Sequence, residues 1–194
     1  VLTPVRKGLL GVERLNRILQ QYLNPAELSK KEYIRHDTLF RVGDKVMQIK
    51  NNYQLEWTIR GRYGVLSQSG TGIFNGDIGI IRSIDPVAES MTVVFDDERE
   101  VLYPFALLDE LELAYAITVH KSQGSEYPVV IIPLLSGPPK LLNRNLIYTA
   151  ITRAKRMVVI VGNLNLVNQM IDNKEEQKRY TTLMYRIQEI MNGI

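Results

Sequence analysis

Cysteine is absent from this 194-residue chain, and its absence excludes disulfide frameworks, thiolate–zinc sites, iron–sulfur clusters and cysteine nucleophiles. Histidine is scarce: His36 and His120 are the two that occur, too few for a His-rich site, so no resident metal is expected. No apolar run reaches the roughly 18–20 residues of a membrane-spanning helix. The longest, Val129 to Leu135, is strand-sized and contains Pro133. A phosphate-cradling P-loop needs Gly-Lys-Ser/Thr, the lysine for the β- and γ-phosphates and the hydroxyl for magnesium. None of the 13 glycines is followed by lysine. There is neither an initiator methionine nor a charged-then-apolar leader. The expectation is a cytoplasmic chain with no membrane partner, whose chemistry comes from Arg, Lys, Asp, Glu, Ser, Thr or backbone groups.

What is present is ordinary in bulk, with 45% apolar and 23% charged residues, near the average of globular domains. The length fits one large domain or two small ones. Charge is unevenly spread. Residues 1–62 carry 12 basic and 6 acidic side chains, residues 63–139 carry 3 and 11, and residues 140–194 carry 9 and 4. Basic ends around an acidic middle fit either a one-sided polyanion track or internal charge pairing.

Apolar residues at Val12, Leu15, Ile18, Leu19, Tyr22 and Leu23 follow helical spacing, and Asn24-Pro25 ends that helix. Because Val1-Leu2-Thr3-Pro4 reads as the end of a strand, the expectation is an α/β layer whose earlier part is missing, hence a fragment. From Phe40 to Leu108 the pattern changes to short strands, Lys45–Lys50, Ile78–Ile84, Met91–Phe95 and Glu100–Tyr103, at a spacing that suits a small barrel. The Gly-rich Trp57–Gly72 stretch between them reads as a hairpin or loop excursion. Beyond Glu112 the pattern predicts a strand at Leu113–Ala116, a turn at Thr118–Ser122 and a helix over Asn143–Lys155. It also predicts buried strands at Val129–Leu135 and Met157–Gly162, and helices over Leu166–Asn173 and Lys174–Met191. This alternation implies a parallel sheet with helices on both faces. The expected organisation is an α/β lobe split into 1–39 and 109–194 around a β module at 40–108, whose excursion covers about 56–72.

The acidic stretches Thr92–Glu98 and Ala106–Glu110 resemble metal-bearing strand ends but, without a P-loop, read as a hairpin turn and a connector. The densest polar cluster is Thr118-Val119-His120-Lys121-Ser122-Gln123-Gly124-Ser125-Glu126. It directly follows an apolar strand, where ligands bind in parallel α/β sheets, or else it is a plain polar loop. Around the predicted helix at about 100° per residue, Arg153 falls just beside the apolar arc of Leu146, Ile147, Ala150, Ile151 and Ala154. An arginine there either snorkels outward or meets an anion in a crevice. At the start, Thr3-Pro4-Val5-Arg6-Lys7-Gly8 places two cations before a helix N-terminus, either a backbone-phosphate site or a solvated loop.

Together these segments resemble the C-terminal part of superfamily 1 DNA helicases of the RecD-like branch, which includes the exodeoxyribonuclease V alpha subunit. Glu112–Glu126 resembles that family's motif V, Leu146–Lys155 its motif VI, and Phe74–Gly79 the start of its inserted SH3-like barrel. The resemblance implies a RecA-like (P-loop NTPase-type) second motor domain. Its partner, an N-terminal RecA-like domain, would hold the P-loop and the metal-binding acids. The full enzyme would use ATP and Mg2+ to move 5′ to 3′ on single-stranded DNA, whereas the fragment alone would be expected to bind neither cofactor and to be inactive. By position, Arg153 would be the arginine finger, and Gly124 and Glu126 would approach the nucleotide. Thr3, Arg6, Lys7, Thr118, His120, Lys121 and Ser122 would contact nucleic acid. The excursion, with Trp57, Arg60, Arg62 and Tyr63, is longer than the family pattern and would either stack on bases or be purely structural. The alternatives are a non-catalytic nucleic-acid-binding or docking module, and a motor subunit of a recombination nuclease.

Overall fold

The computed structural model describes residues 1–61, 64–138, 141–173 and 182–191. Strand β1 (Leu2–Thr3) leads into helix α1 (Val12–Leu23), and a hairpin follows, β2 (Glu32–Arg35) with β3 (Thr38–Arg41). Seven antiparallel strands come next in chain order: β4 (Lys45–Gln48), β5 (Asn52–Arg60), β6 (Leu66–Ile73), β7 (Ile78–Asp85), β8 (Ser90–Phe95), β9 (Glu100–Pro104) and β10 (Leu111–Leu113). Their order in the sheet is β10-β4-β7-β8-β9-β5-β6. Strand β11 (Ile117–Thr118) pairs in parallel with β1, and β12 (Tyr127–Leu134) with β13 (Ala154–Gly162). Helices α2 (Arg144–Ile151), α3 (Leu164–Asp172) and α4 (Leu183–Met191) complete the described chain.

The four strands expected between Lys45 and Tyr103 form close to their predicted bounds, because alternating residues enter one core. Val46, Ile73, Ile81, Met91, Val93, Val101 and Tyr103 are at most 1% exposed. The excursion is not a loop. Its flanks are β5 and β6, registered through Trp57↔Gly70. A methyl group on Gly70 would lie 2.5 Å from the Trp57 ring, so the glycine makes room for the indole. Arg62 and Tyr63 lie outside the described residues, as does the start of the predicted Lys174–Met191 helix.

Three expectations change. The strand near Leu113 comprises Leu111–Leu113 and pairs with β4, so it belongs to the antiparallel sheet. The helix expected to run to Lys155 stops at Ile151, because Ala154 already pairs with Tyr127. Arg153 therefore sits in the connecting turn, off the helical face. Strands β12 and β13 are not buried on both faces: Val130, Ile132 and Leu134 enter the second core, whereas Val129, Ile131, Met157 and Val161 are 40–54% exposed. Among the described residues these two strands pair only with each other, and helices cover one side.

Helix α1 docks through polar residues. Its buried positions are Val12, Asn16 and Gln20, one face at four-residue steps, which Asn24 extends. Asn16 donates to the carbonyls of Leu113 (2.8 Å) and Ala116 (3.0 Å) and accepts from the Ala116 amide (2.7 Å). Asp44, fully buried, accepts from Gln20 (2.5 Å), Asn24 (2.7 Å), the Arg41 amide (2.7 Å) and the Tyr115 hydroxyl (2.9 Å). Burial, with Asp44 alongside, raises the Tyr115 phenol well above its ordinary pKa.

Candidate functional site

The loop after β11 is shaped by its own side chains. The Ser122 hydroxyl donates to the Val119 carbonyl (2.7 Å), and Thr118 Oγ1 accepts from the Lys121 amide (3.2 Å), closing a single tight turn over His120–Ser122. Gly124 then adopts φ +85° with open space where a Cβ would stand, so the backbone conformation, and no steric clash, calls for glycine. The outcome is an exposed His120, Gln123, Gly124 and Glu126, with Lys121 partly covered.

Arg153 is held against this loop. Its carbonyl accepts from the Tyr127 amide (2.8 Å), which fixes the turn at the start of the β12–β13 pair. Its half-buried guanidinium donates to the Ser125 carbonyl, the Thr149 carbonyl and Thr152 Oγ1, each at 3.3 Å. All three contacts are longer than the usual 2.9–3.0 Å and all end on neutral oxygens. Among the described residues no carboxylate pairs with Arg153. Glu126, on the same edge, pairs with Lys155 at 3.2 Å, but both side chains are more than half exposed and the pair contributes little. Burial raises the pKa of the nearby Tyr127 phenol.

The cations of the two polar loops meet over one acid. Glu112, the middle residue of β10, accepts from Arg6 Nη2 (2.8 Å) and Lys121 Nζ (2.8 Å). Burial alone would raise the Glu112 pKa, but the hydrogen bonds from Arg6 and Lys121 outweigh it and hold the carboxyl below its ordinary range. Lys7 is exposed beside them, lining a cleft of about 580 Å³ with Arg6, Arg17 and Glu112. Thr3 and Ser122 have no exposed surface, and their hydroxyls serve the carbonyls of Leu10 (2.5 Å) and Val119. Their side chains shape the loops without facing a ligand. Glu112 and Ser125 lie in the segment that the sequence singles out but without a role of their own, and Thr149 is not among the expected site residues. Arg6 and Glu112 lie 106 positions apart, a separation that no local pattern reveals.

Residues 15–95 match the SH3 domain of ATP-dependent RecD-like DNA helicases, and residues 113–161 match the UvrD-like helicase C-terminal domain. The chain thus carries an SH3 domain of the RecD-like helicase type followed by a UvrD-like helicase C-terminal domain. Over 191 residues it is 36% identical to the ATP-dependent RecD2 DNA helicase of Deinococcus radiodurans, an alignment covering 96% of this chain and 23% of that protein. It is 31% identical to the RecBCD enzyme subunit RecD of Mycolicibacterium smegmatis, covering 84% of this chain and 24% of the relative. The chain spans about a quarter of the length of these relatives. A Pif1 helicase from Bacteroides solved with ADP-AlF3 and ssDNA shares the fold. Its TM-score is 0.53 at 19% identity, covering 99% of this chain and 46% of that one. A second Pif1 structure, of two coordinating helicases at forked dsDNA, aligns with TM-score 0.54 at 19% identity, covering 99% and 44%.

Proposed function

We propose that this chain is the second, RecA-like lobe of an ATP-dependent DNA helicase. In this reading the lobe comprises 1–39 and 109–194, with an SH3-like barrel at 40–108 inserted between them. The observation that carries the reading is Arg153: a half-buried guanidinium whose partners among the described residues are all neutral, on the edge that also bears Gly124 and Glu126. A cation so placed stabilises charge developing on a transferred phosphoryl group. Three long hydrogen bonds orient it, yet each can be exchanged for a phosphate oxygen. Ser125 and Thr149 set its direction, while Gly124 keeps the loop low enough for a nucleotide to approach. Thr118, His120, Lys121, Arg6 and Lys7 supply hydroxyl and cationic partners for the phosphates of single-stranded DNA. Hydrolysis would drive lobe closure and stepping, in the 5′-to-3′ direction that the family resemblance implies.

The residues here fit one side of a nucleotide. They offer a phosphate a cation but no magnesium cage, since among the described residues no three His, Asp or Glu side chains converge. The P-loop and the acids that hold Mg2+ belong to a first lobe in this scheme. Two measurements test it. The isolated 194-residue chain is expected to turn over no ATP. In the full-length protein, Arg153→Ala is expected to abolish DNA-stimulated hydrolysis while sparing ATP binding. Turnover by the chain alone, or a loss confined to binding, overturns the reading.

A further inference from the structure

Tyr53 and Phe74 are large aromatic rings left in solvent, 67% and 42% exposed, at the foot of the β5–β6 hairpin. They stand edge to face, centroids 5.7 Å apart at 72°. The backbone beneath them is pinned from several sides. The Asn52 carboxamide accepts from the amides of Gln54 and Leu55 (both 3.1 Å), Asp77 accepts from the Phe74 amide (3.1 Å), and Asn51 accepts from the Asn75 amide (2.9 Å). Gly72 leaves the Phe74 ring its seat: a Cβ there would lie 3.1 Å from it. Neither ring enters the antiparallel core, so core packing does not account for them.

Asn75, directly after Phe74, lines a groove of about 530 Å³ whose other wall is the polar loop of His120, Lys121, Gln123 and Ser125. The groove's acid is Asp77, which pairs at 2.8 Å with Arg99, a guanidinium shared with Asp97. The floor therefore offers the Lys121 ammonium, itself paired with Glu112, and the Gln123 carboxamide, while Phe74, next to the lining residue Asn75, brings the exposed aromatic pair to its rim. Phosphates suit the floor and flat apolar rings suit the rim. A single strand offers both its backbone phosphates and its unstacked base faces, whereas a duplex hides its base faces in the stack.

We propose that Tyr53 and Phe74 form a base-stacking platform on the β module, engaging unpaired bases of a strand whose phosphates follow the His120–Ser125 groove. This rests on the nucleic-acid reading of that loop and adds a contact through bases. Stacking of this kind is sequence-tolerant, because every base has a π-face. The test is equilibrium binding of the full-length protein, at fixed salt, to a thymidine oligonucleotide and to an abasic strand of equal length. Wild type is expected to prefer the base-bearing strand. The double variant Tyr53→Ala/Phe74→Ala is expected to lose about tenfold on the base-bearing strand and nothing on the abasic one. Tyr53→Phe and Phe74→Tyr, which keep the rings, are expected to keep the preference. No preference in wild type, or equal losses on both strands, overturns the platform. Failure of the motor reading itself shows separately, as Arg153→Ala leaving ATP hydrolysis intact.

Discussion

The antiparallel sheet and the loops around the two parallel pairs treat charge in opposite ways. In the sheet region every buried charge meets several partners. Arg99 is bound by Asp77, Asp97 and the Gly72 carbonyl and lies 6.0 Å from the Trp57 ring centre. Asp44 accepts four hydrogen bonds, and Arg41 is spent on Glu32 and the Asn24 carbonyl. Around the parallel pairs Arg153 makes three long bonds to neutral oxygens, His120 is exposed, and one acid serves both Arg6 and Lys121. Saturated networks lock a geometry; unsaturated ones leave room for a ligand to complete them. Full and partial hydrogen-bond satisfaction are thus assigned to different parts of one chain.

The sharpest way to break this contrast is at Arg153. If its free capacity is catalytic, Arg153→Ala in the full-length protein lowers ATP turnover about 10³-fold or more, some 4 kcal/mol of barrier, without moving the unfolding midpoint. A matching loss of stability would make it one more structural cation. Asp44→Ala should behave in reverse. Leaving its donors unpaired in a buried site costs about 3 kcal/mol, read by denaturant unfolding, with nucleotide hydrolysis unchanged at temperatures where the protein stays folded.

Glu112 lies on the border between the two behaviours. Glu112→Gln is expected to free Arg6 and Lys121 for phosphates, tightening single-strand binding several-fold and steepening the salt dependence by about one unit, whereas Lys121→Ala flattens it by a similar amount. Weaker binding by the glutamine variant would show that the acid organises these cations for DNA. The carboxyl's folded-state pKa lies below its ordinary 4.5. Its contribution to stability is therefore present above that value and lost as pH falls through the depressed one. The difference in unfolding midpoint between wild type and Glu112→Gln should shrink below pH 4.5, as acid titrations would register. Smallest is Gly124→Ala, about 1 kcal/mol for the positive φ alone, since no neighbour stands in the methyl's way.

Much of this architecture was legible along the chain. The run of short strands at close spacing located β4, β7, β8 and β9, and the predicted helix over Asn143–Lys155 has its start at α2, where the Asn143 side chain accepts from the Leu146 amide at 3.0 Å. The polar loop of Thr118–Glu126 stood out by composition, and it is where Arg153 docks. Other features were hidden for identifiable reasons. Helix α1 reads as amphipathic through its leucines, yet Tyr22 and Leu23 are exposed and Asn16 and Gln20 are buried, because the Leu113 and Ala116 carbonyls need a donor at Asn16 and the Leu39 carbonyl and the Asp44 carboxylate need one at Gln20. Helix α2 ends early because a strand partner captures Ala154. The β5–β6 hairpin was one of the two readings open for the Gly-rich stretch, and what the sequence left undecided was its register, in which Gly70 and Gly72 make room for Trp57 and Phe74.

The order of residues by itself determined the local elements, the absence of a P-loop and the polar loop that bears His120, since each depends on neighbours within a turn or two. Only the tertiary structure decided that Glu112 joins Arg6 to Lys121, that Thr3 and Ser122 face inward, and that Arg153 meets Ser125 with no acid among the described residues to neutralise it. Those outcomes depend on which distant groups arrive together and on how much water is excluded when they do, and pairing energies between remote charges leave no periodic trace in a sequence.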